Sequence, residues 1–289
     1  MRRPPSPQRS SRTPARPKLR ARRSLSQNFL IDGAVADRIA AALPVRPCDQ
    51  IYEIGAGKGF LTERLVPLVE GRAHIWAIEK DRRMVGMLRQ KFPAEGSVRV
   101  IWADVLHLPA DAEPPDRCWL YGNLPFGIGH AILEWAFARR ARFPGAVVTL
   151  QREVVHRLIA GPGESGRGAS SIWFQARARG TALFNIPPRA FHPPPRVTST
   201  VMWIEFVPTT PGIETIPGIE YVVQCAFAQK RKTLANNLRA IPRLRAADFA
   251  RLRAECPDLL EQRAEQLRAE DFARLARVLP LDCSTTADR

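Results

Sequence analysis

The chain has 289 residues, of which 45% are hydrophobic and 25% are charged, so it is long enough for one large domain and one small domain. Its net charge of +16 and its pI near 10.8 indicate a polyanionic partner and argue against an enzyme of small neutral substrates. No apolar run approaches the ~20 residues that span a bilayer, which predicts a soluble protein without a membrane partner.

The first 23 residues form a basic arm. They hold nine basic side chains and five prolines but no acidic residue, and they have almost no large apolar side chains. Because such a segment cannot bury surface, we predict that it is disordered until it meets phosphate. Two alternatives stay open: an organellar transit peptide, which would be amphipathic, and a merely solvated tail.

The five cysteines lie far apart and form no Cys-x-x-Cys pair. This spacing argues against a zinc site or a disulfide framework and predicts a reducing, cytoplasmic location. The pair Pro47-Cys48 is typical of the nucleophile of pyrimidine C5 methyltransferases. It precedes the first predicted strand, however, so we do not expect it to be catalytic.

From residue 50 to residue 207, short apolar runs alternate with longer amphipathic stretches. This pattern is typical of strands and crossover helices in a parallel sheet, so the fold class is α/β. The seven predicted strands are residues 50–54, 73–79, 98–102, 117–122, 146–150, 172–183 and 200–207.

A glycine-rich loop, Glu53-Ile54-Gly55-Ala56-Gly57-Lys58-Gly59, follows the first of these strands. Gly55 and Gly57 permit a tight turn and a close approach of the backbone to a ligand. The G-x-G-x-G spacing differs from the G-x-G-x-x-G of dinucleotide enzymes, whose third glycine lets a helix N-terminus meet a pyrophosphate. S-adenosylmethionine has no phosphate and suits this loop; a glycine turn without a ligand is the alternative.

Two acidic residues end the next two predicted strands. Glu79 follows the glycine loop by about twenty residues, a position from which a carboxylate accepts both hydroxyls of an adenosine ribose. Asp104 ends the third strand and can accept a hydrogen bond from the adenine amine of the cofactor. Its alternative is an ordinary helix N-cap.

The segment Asn123-Leu124-Pro125-Phe126 ends the fourth predicted strand and points to methyl transfer onto an exocyclic amine. The N6 nitrogen of adenine is a poor nucleophile because its lone pair is delocalised into the ring. The Asn123 side-chain oxygen and the Leu124 carbonyl can accept the amine hydrogens, and Pro125 stiffens the turn. Phe126 can stack on the extruded base. A plain strand end is the alternative.

Residues 208–218 hold three prolines and two glycines, a composition typical of a linker. Beyond them the pattern is helical, with predicted helices at residues 221–241, 245–253, 259–266 and 269–278. The basic run Lys230-Arg231-Lys232 lies in the first of these helices and is either an RNA contact or a solvated helix face. The predicted organisation is a basic arm (1–23), an α/β domain (24–207), the linker, and a small helical RNA-binding domain (219–289).

These motifs together resemble the ribosomal RNA adenine N6-dimethyltransferases of the KsgA type, over nearly everything from residue 25 to residue 278. Each motif is weak alone, but the set is specific. The residues that carry the resemblance are the glycine loop, Asn123-Leu124-Pro125-Phe126, Ser26-Gln27-Asn28-Phe29-Leu30, Gln151-Arg152-Glu153-Val154-Val155, Phe191-His192-Pro193-Pro194-Pro195-Arg196-Val197 and Ala226-Phe227-Ala228-Gln229-Lys230-Arg231-Lys232-Thr233-Leu234.

The resemblance implies a Rossmann-like seven-stranded methyltransferase domain and a small C-terminal all-helical domain. It implies dimethylation of two adjacent adenosines in the hairpin near the 3′ end of small-subunit ribosomal RNA, late in subunit assembly, by a monomer that needs no metal. Phe191 would face Phe126 across the flipped base. The residues that it implies for S-adenosylmethionine are Asn28, Leu30, Gly55, Glu79, Asp104 and Asn123.

Two rival functions remain. Ala56 and Lys58 in the glycine loop also resemble the related Erm enzymes, which methylate large-subunit ribosomal RNA and confer macrolide resistance. The segment 226–238 is more similar to the small-subunit branch. The second rival is an assembly factor that keeps the fold and binds RNA without needing catalysis, and the intact Asn123 motif and Glu79 argue against it.

Overall fold

The computed structural model describes residues 28–44, 49–69, 74–208, 212–241 and 244–279. The basic arm and Pro47-Cys48 lie outside these residues. In the described chain, no helix is long and apolar enough to cross a membrane, and no group of three or more His, Cys, Asp or Glu side chains is arranged to hold a metal ion.

A seven-stranded sheet organises the larger part of the molecule, in the order β4-β3-β2-β5-β6-β9-β7. The first five strands in this order are parallel, and β9 runs antiparallel to both β6 and β7. The strands are β2 (Gln50–Ile54), β3 (Ile75–Glu79), β4 (Val98–Trp102), β5 (Cys118–Asn123), β6 (Ala146–Gln151), β7 (Arg179–Ile186) and β9 (Ser199–Glu205). The α/β architecture and the number of strands are as predicted.

Helices cover both faces of the sheet and form the C-terminal region. They are α1 (Gly33–Ala41), α2 (Thr62–Val69), α3 (Arg82–Lys91), α4 (Gly129–Ala138), α5 (Arg152–Ile159), α6 (Ala169–Gln175), α7 (Ile219–Ala226), α8 (Leu234–Arg239), α9 (Ala246–Glu255), α10 (Pro257–Leu260) and α11 (Ala269–Val278). Successive side chains of a strand point to opposite faces. Accordingly, Tyr52 and Ile54 belong to one buried cluster and Ile51 to another.

A second, two-stranded sheet was not predicted. It pairs β1 (Phe29–Leu30) with β8 (Phe191–His192) in antiparallel fashion. Two-residue strands carry too little alternation to be recognised in a sequence. The pairing holds residues from the start of the described chain against the proline-rich segment that precedes β9.

The predicted strand at residues 172–183 is wrong in its first half, because α6 occupies that stretch and β7 begins only at Arg179. The reason is burial on two sides. Ile172 packs in the core of the C-terminal helices, whereas Phe174 packs in the core beneath the sheet. A helix that is buried on more than one face loses the apolar spacing that distinguishes it from a strand.

The single helix predicted for residues 221–241 is two helices, α7 and α8, separated by a turn. The Asn237 side-chain amide donates hydrogen bonds to the carbonyl oxygens of Ala226 (2.7 Å) and Gln229 (3.1 Å). It thereby folds the end of α7 back against α8. Lys230, Arg231 and Lys232 consequently lie in an exposed turn and not on a helix face. The helix predicted for residues 259–266 is likewise divided, into α10 and a 3₁₀ turn at Ala264–Gln266.

The C-terminal helices pack directly on the α/β part of the chain. The buried Arg167 guanidinium donates to the carbonyl oxygens of Ala160 (2.5 Å) and Leu267 (2.7 Å). Nearby, the Gly163 backbone N–H donates to the Glu265 carbonyl oxygen at 2.8 Å. The predicted division of the chain at residues 208–218 stays a prediction, and the two sides of it share these contacts.

Candidate active site

The glycine loop after β2 depends on backbone angles that favour glycine. Gly55, Gly57 and Gly59 have φ values of 72°, 56° and 72°, in the left-handed region that other residues rarely adopt. A Cβ atom at Gly57 would lie 3.3 Å from the Phe29 ring. The loop therefore brings the backbone itself close to any ligand that occupies the adjoining cavity.

Glu79 supports this loop from behind. Its carboxylate is buried and accepts hydrogen bonds from the backbone N–H groups of Gly57 (2.8 Å) and Asp81 (2.7 Å). Desolvation by burial raises the pKa of Glu79, and these hydrogen bonds oppose the rise. Each carboxylate oxygen retains a lone pair. The ribose contact stays a prediction, and the structure adds a second role for Glu79 in holding the loop.

Asp104 lies beyond Glu79 at the same edge of the sheet. It accepts hydrogen bonds from Lys80 Nζ at 2.6 Å and from the Leu106 N–H at 3.2 Å. Desolvation acts to raise the pKa of Asp104, but the hydrogen bonds from Lys80 and Leu106 and the positive charge of Lys80 together outweigh it, so the pKa is lowered. Asp104 makes an isolated bridge with His107 and starts no helix. The helix N-cap alternative is therefore wrong.

Asn123 is the last residue of β5, and its side chain is tied to the other end of the described chain. Its Nδ2 donates to the Asn28 carbonyl oxygen at 3.1 Å. Its Oδ1 is buried and has no hydrogen-bond partner among the described residues. Just before it, Gly122 passes so close to β2 that a Cβ atom would lie 2.5 Å from the Ile54 carbonyl oxygen. A buried acceptor without a partner, such as Asn123 Oδ1, costs free energy unless a ligand supplies a donor.

One cavity joins the glycine loop to the Asn123 segment. It brings together eight predicted site residues: Asn28, Leu30, Gly55, Gly57, Asn123, Leu124, Pro125 and Phe126. Glu79 and Asp104 are not among its lining residues. The cavity wall also includes residues to which the sequence analysis gave no role, namely Phe29, Glu53, Lys58, Phe60 and Leu61. Two of these residues could have been identified from the sequence, because Glu53 begins the glycine loop and Phe29 directly follows Asn28.

Glu53 is the most unusual titratable group in this wall. It is buried and accepts a hydrogen bond of 2.6 Å from the Thr62 hydroxyl. Burial raises the pKa of Glu53 to about 7, although the Thr62 hydrogen bond opposes the rise. The negative charge of Glu53 also helps to raise the pKa of the buried Tyr121 hydroxyl, after desolvation. The cavity therefore contains a carboxyl group that titrates near neutral pH.

Phe191 is placed differently from the prediction. It is 2% exposed and lies in β8, where it pairs with Leu30 of β1. Its ring belongs to the buried core, because the small sheet presses the proline-rich segment against the α/β part. Stacking requires an open ring face. Of the predicted aromatic pair, only Phe126 lines the cavity.

A wide groove lies between α5 and the turn after α7, and we call it the basic groove. Its basic side chains come from four separate segments: Arg152 and Arg157 of α5, Arg167, Arg196 and Lys230. Arg157 is paired with Glu153 at 2.7 Å, so it contributes less net charge. Among the predicted RNA-binding residues, Lys230 lines the groove, whereas Arg231 and Lys232 are exposed next to it.

Comparison with known proteins adds to this geometry. A family model described as "Ribosomal RNA adenine dimethylase" matches residues 18–279. The chain is 39% identical over 265 residues to the "Ribosomal RNA small subunit methyltransferase A" of Xanthomonas axonopodis pv. citri, covering 89% of this chain and 96% of the relative. It is also 39% identical over 259 residues to the protein of the same name from Acidobacterium capsulatum, covering 88% and 90%.

Two solved structures resemble the whole arrangement of sheet and helices. A dimethyladenosine transferase from Plasmodium falciparum aligns with a TM-score of 0.70 and 23% identity, over 86% of this chain and 95% of that one. The 23S rRNA methyltransferase ErmE aligns with a TM-score of 0.64 and 26% identity, over 87% and 99%. The first likeness is one of fold, and both include the Rossmann-like sheet and the C-terminal helices.

Proposed function

Because this chain belongs to the ribosomal RNA adenine dimethylase family, we propose that it transfers methyl groups from S-adenosylmethionine to the N6 amines of adenine in small-subunit ribosomal RNA. The relatives that are named for the small-subunit RNA support this target. The proposed sites are two adjacent adenosines of the hairpin near the 3′ end. The single observation that carries the chemistry is the buried, unpartnered Oδ1 of Asn123.

The residues around the cavity fit the cofactor. The alternating glycines at positions 55, 57 and 59 have positive φ, which lets the backbone approach a ligand closely. Asn28 and Leu30 face this loop from β1 and its start. In the proposed complex, these residues hold S-adenosylmethionine together with Glu79 and Asp104. When bound, the cofactor supplies an electrophilic methyl group on a sulfonium.

The chain's own contribution to the reaction is positioning. Asn123 Oδ1 and the Leu124 carbonyl oxygen accept hydrogen bonds from the two N–H groups of the amine and orient the nitrogen lone pair toward the methyl group. Phe126 provides an apolar surface for the base. After transfer the nitrogen carries a positive charge and an acidic proton, which leaves to water. The same acceptors then serve the second transfer, with one hydrogen left to bind.

The basic groove is the proposed path of the RNA next to the target base. Its exposed side chains Arg152, Arg196 and Lys230 contact phosphate, which gives affinity without sequence choice. Lys230, Arg231 and Lys232 extend this surface onto the C-terminal helices. The proposed partner is the assembling small subunit, bound by a monomer in the cytoplasm.

The decisive experiment uses purified, unmethylated small and large ribosomal subunits and cofactor with a labelled methyl group. The label should appear in two neighbouring adenosines of the small-subunit 3′ hairpin. Label confined to large-subunit RNA would favour the Erm-type activity. Binding to small subunits without any label would favour an assembly factor that does not need catalysis.

A further inference from the structure

Two arginines of the C-terminal helices lie against one phenylalanine ring. The Arg239 guanidinium carbon, at the end of α8, is 4.9 Å from the centre of the Phe249 ring, and that of Arg253 is 5.2 Å from it. Phe249 and Arg253 are one turn apart on α9. Both arginines are exposed and the ring is half-buried. We call these three residues the arginine clamp.

The neighbouring charges of α9 are already compensated. Arg245 pairs with Asp248 at 3.1 Å, and Arg251 lies 3.7 Å from Glu255. Neither Arg239 nor Arg253 has a carboxylate partner within the described residues; Arg239 donates only to the Asn236 side-chain oxygen, at 3.4 Å. Within the described residues, the clamp therefore places two uncompensated positive charges beside one ring.

The ring contacts also place the two guanidinium carbons within about 10 Å of each other. Two like charges in this proximity raise the local positive potential, and a bound phosphate would neutralise it. Stacking on an aromatic ring restrains the planar guanidinium, so less rotamer freedom is lost when it binds. Guanidinium groups bind phosphate in bidentate geometry.

From these contacts we propose that the arginine clamp is a phosphate-binding site for the RNA backbone, separate from the basic groove. The inference rests on the proposed function, which supplies the RNA. A stacked base is a poorer fit, because the guanidinium groups already lie over the Phe249 ring.

Packing of the C-terminal helices fixes the position of the clamp relative to the basic run at residues 230–232. Asn237 of α8 holds the carbonyl oxygens of Ala226 and Gln229, so the turn with Lys230 and the clamp belong to one packed unit. The six-residue helix α8 separates them. We expect one continuous RNA backbone to contact both, so loss of the clamp should weaken binding without removing the groove contacts.

The test measures the affinity of the full chain for unmethylated small subunits across a salt series. Replacing both arginines, Arg239→Gln with Arg253→Gln, should weaken binding and reduce the slope of log K against log salt by about one to two. The subunit concentration for half-maximal methylation should rise in parallel. The control Arg251→Gln changes a compensated arginine on the same helix and should leave affinity and methylation unchanged.

A second double variant, Arg239→Lys with Arg253→Lys, separates the clamp geometry from charge alone. It should keep the wild-type salt slope but bind more weakly, because lysine lacks the planar bidentate fork. Thermal unfolding of each variant verifies that α8 and α9 remain folded. A salt slope of the glutamine variant equal to that of the wild type would overturn the clamp. Failure of the proposed function is read separately, from wild-type enzyme that leaves small subunits unlabelled.

Discussion

Asn123 Nδ2 donates to the Asn28 carbonyl oxygen, across 95 residues of chain, at 3.1 Å. This single contact determines which end of the Asn123 side-chain amide forms a hydrogen bond within the protein. The nitrogen is used, and the buried Oδ1 has no partner in the part of the chain that the structure describes. An acceptor is therefore already oriented before any amine arrives, which lowers the cost of ordering it during the reaction.

Asn123→Ala should lower the rate of methyl transfer by roughly 10²- to 10³-fold, the usual effect of removing one preorganised polar group. Binding to subunits should persist, because phosphate contacts lie elsewhere. Single-turnover assays with saturating subunits measure the rate. Asn123→Asp tests the contact with Asn28 itself: it retains acceptors but cannot donate to that carbonyl oxygen, so it should also be slow. A near-normal rate for either variant would remove this arrangement from the mechanism.

Glu79→Gln should weaken S-adenosylmethionine binding by roughly 1–3 kcal/mol. One carboxylate accepts from both Gly57 and Asp81, whereas an amide offers a single oxygen and opposes the second N–H with its own NH₂ group. Isothermal calorimetry gives the affinity. The exposed Glu95 provides a matched control, since Glu95→Gln makes the same chemical change away from the loop. Equal cofactor affinity in the two variants would contradict the role of Glu79.

Glu53 predicts a pH dependence of stability. Its pKa is about 7 in the folded protein and 4.5 for an unperturbed glutamate side chain, so between these values the folded state binds more protons than the unfolded state. The free energy of unfolding must then fall as pH rises from about 4.5 to 7, by about 3 kcal/mol, because each pKa unit corresponds to ~1.4 kcal/mol. The variant Glu53→Gln cannot titrate and should lose this component.

Urea unfolding of wild type and Glu53→Gln at pH 5 and pH 8 measures the difference. The variant should be more stable relative to wild type at pH 8 than at pH 5. Parallel pH profiles of the two proteins would show that Glu53 stays ionised in the folded state throughout this range.

Deletion of residues 1–23 should lower the affinity for small subunits and flatten its dependence on salt. The segment carries nine of the cationic side chains, and each phosphate that they neutralise contributes counterion release. The arm lies outside the described residues, so this expectation comes from the sequence alone. Filter binding over a salt series decides it, and an identical salt slope would mean that the arm makes no phosphate contact.

The sequence predicted those features that depend on local chemistry. The glycine spacing after β2 is required by the backbone angles at Gly55, Gly57 and Gly59, and no other residue type adopts them as easily. Parallel strands read as apolar runs because helices cover both faces. The segment that begins at Asn123 lies at a strand end, and its residue types by themselves indicate hydrogen-bond acceptors for an amine. The charge total indicated a polyanionic partner.

Contacts between distant segments were decided only by the tertiary structure. Because α6 is buried on two sides, its sequence pattern resembles that of a strand. The hydrogen bonds of the Asn237 amide hold α7 and α8 together as two helices where the sequence predicted one. Pairing of β1 with β8 buried Phe191, which the family resemblance had implied to lie opposite Phe126. The orientation of Asn123, set by Asn28, and the position of Arg239 over Phe249 belong to the same class. Such contacts form between segments that are separated along the chain, when folding closes the loop between them. Local residue preferences do not determine which of these segments come into contact.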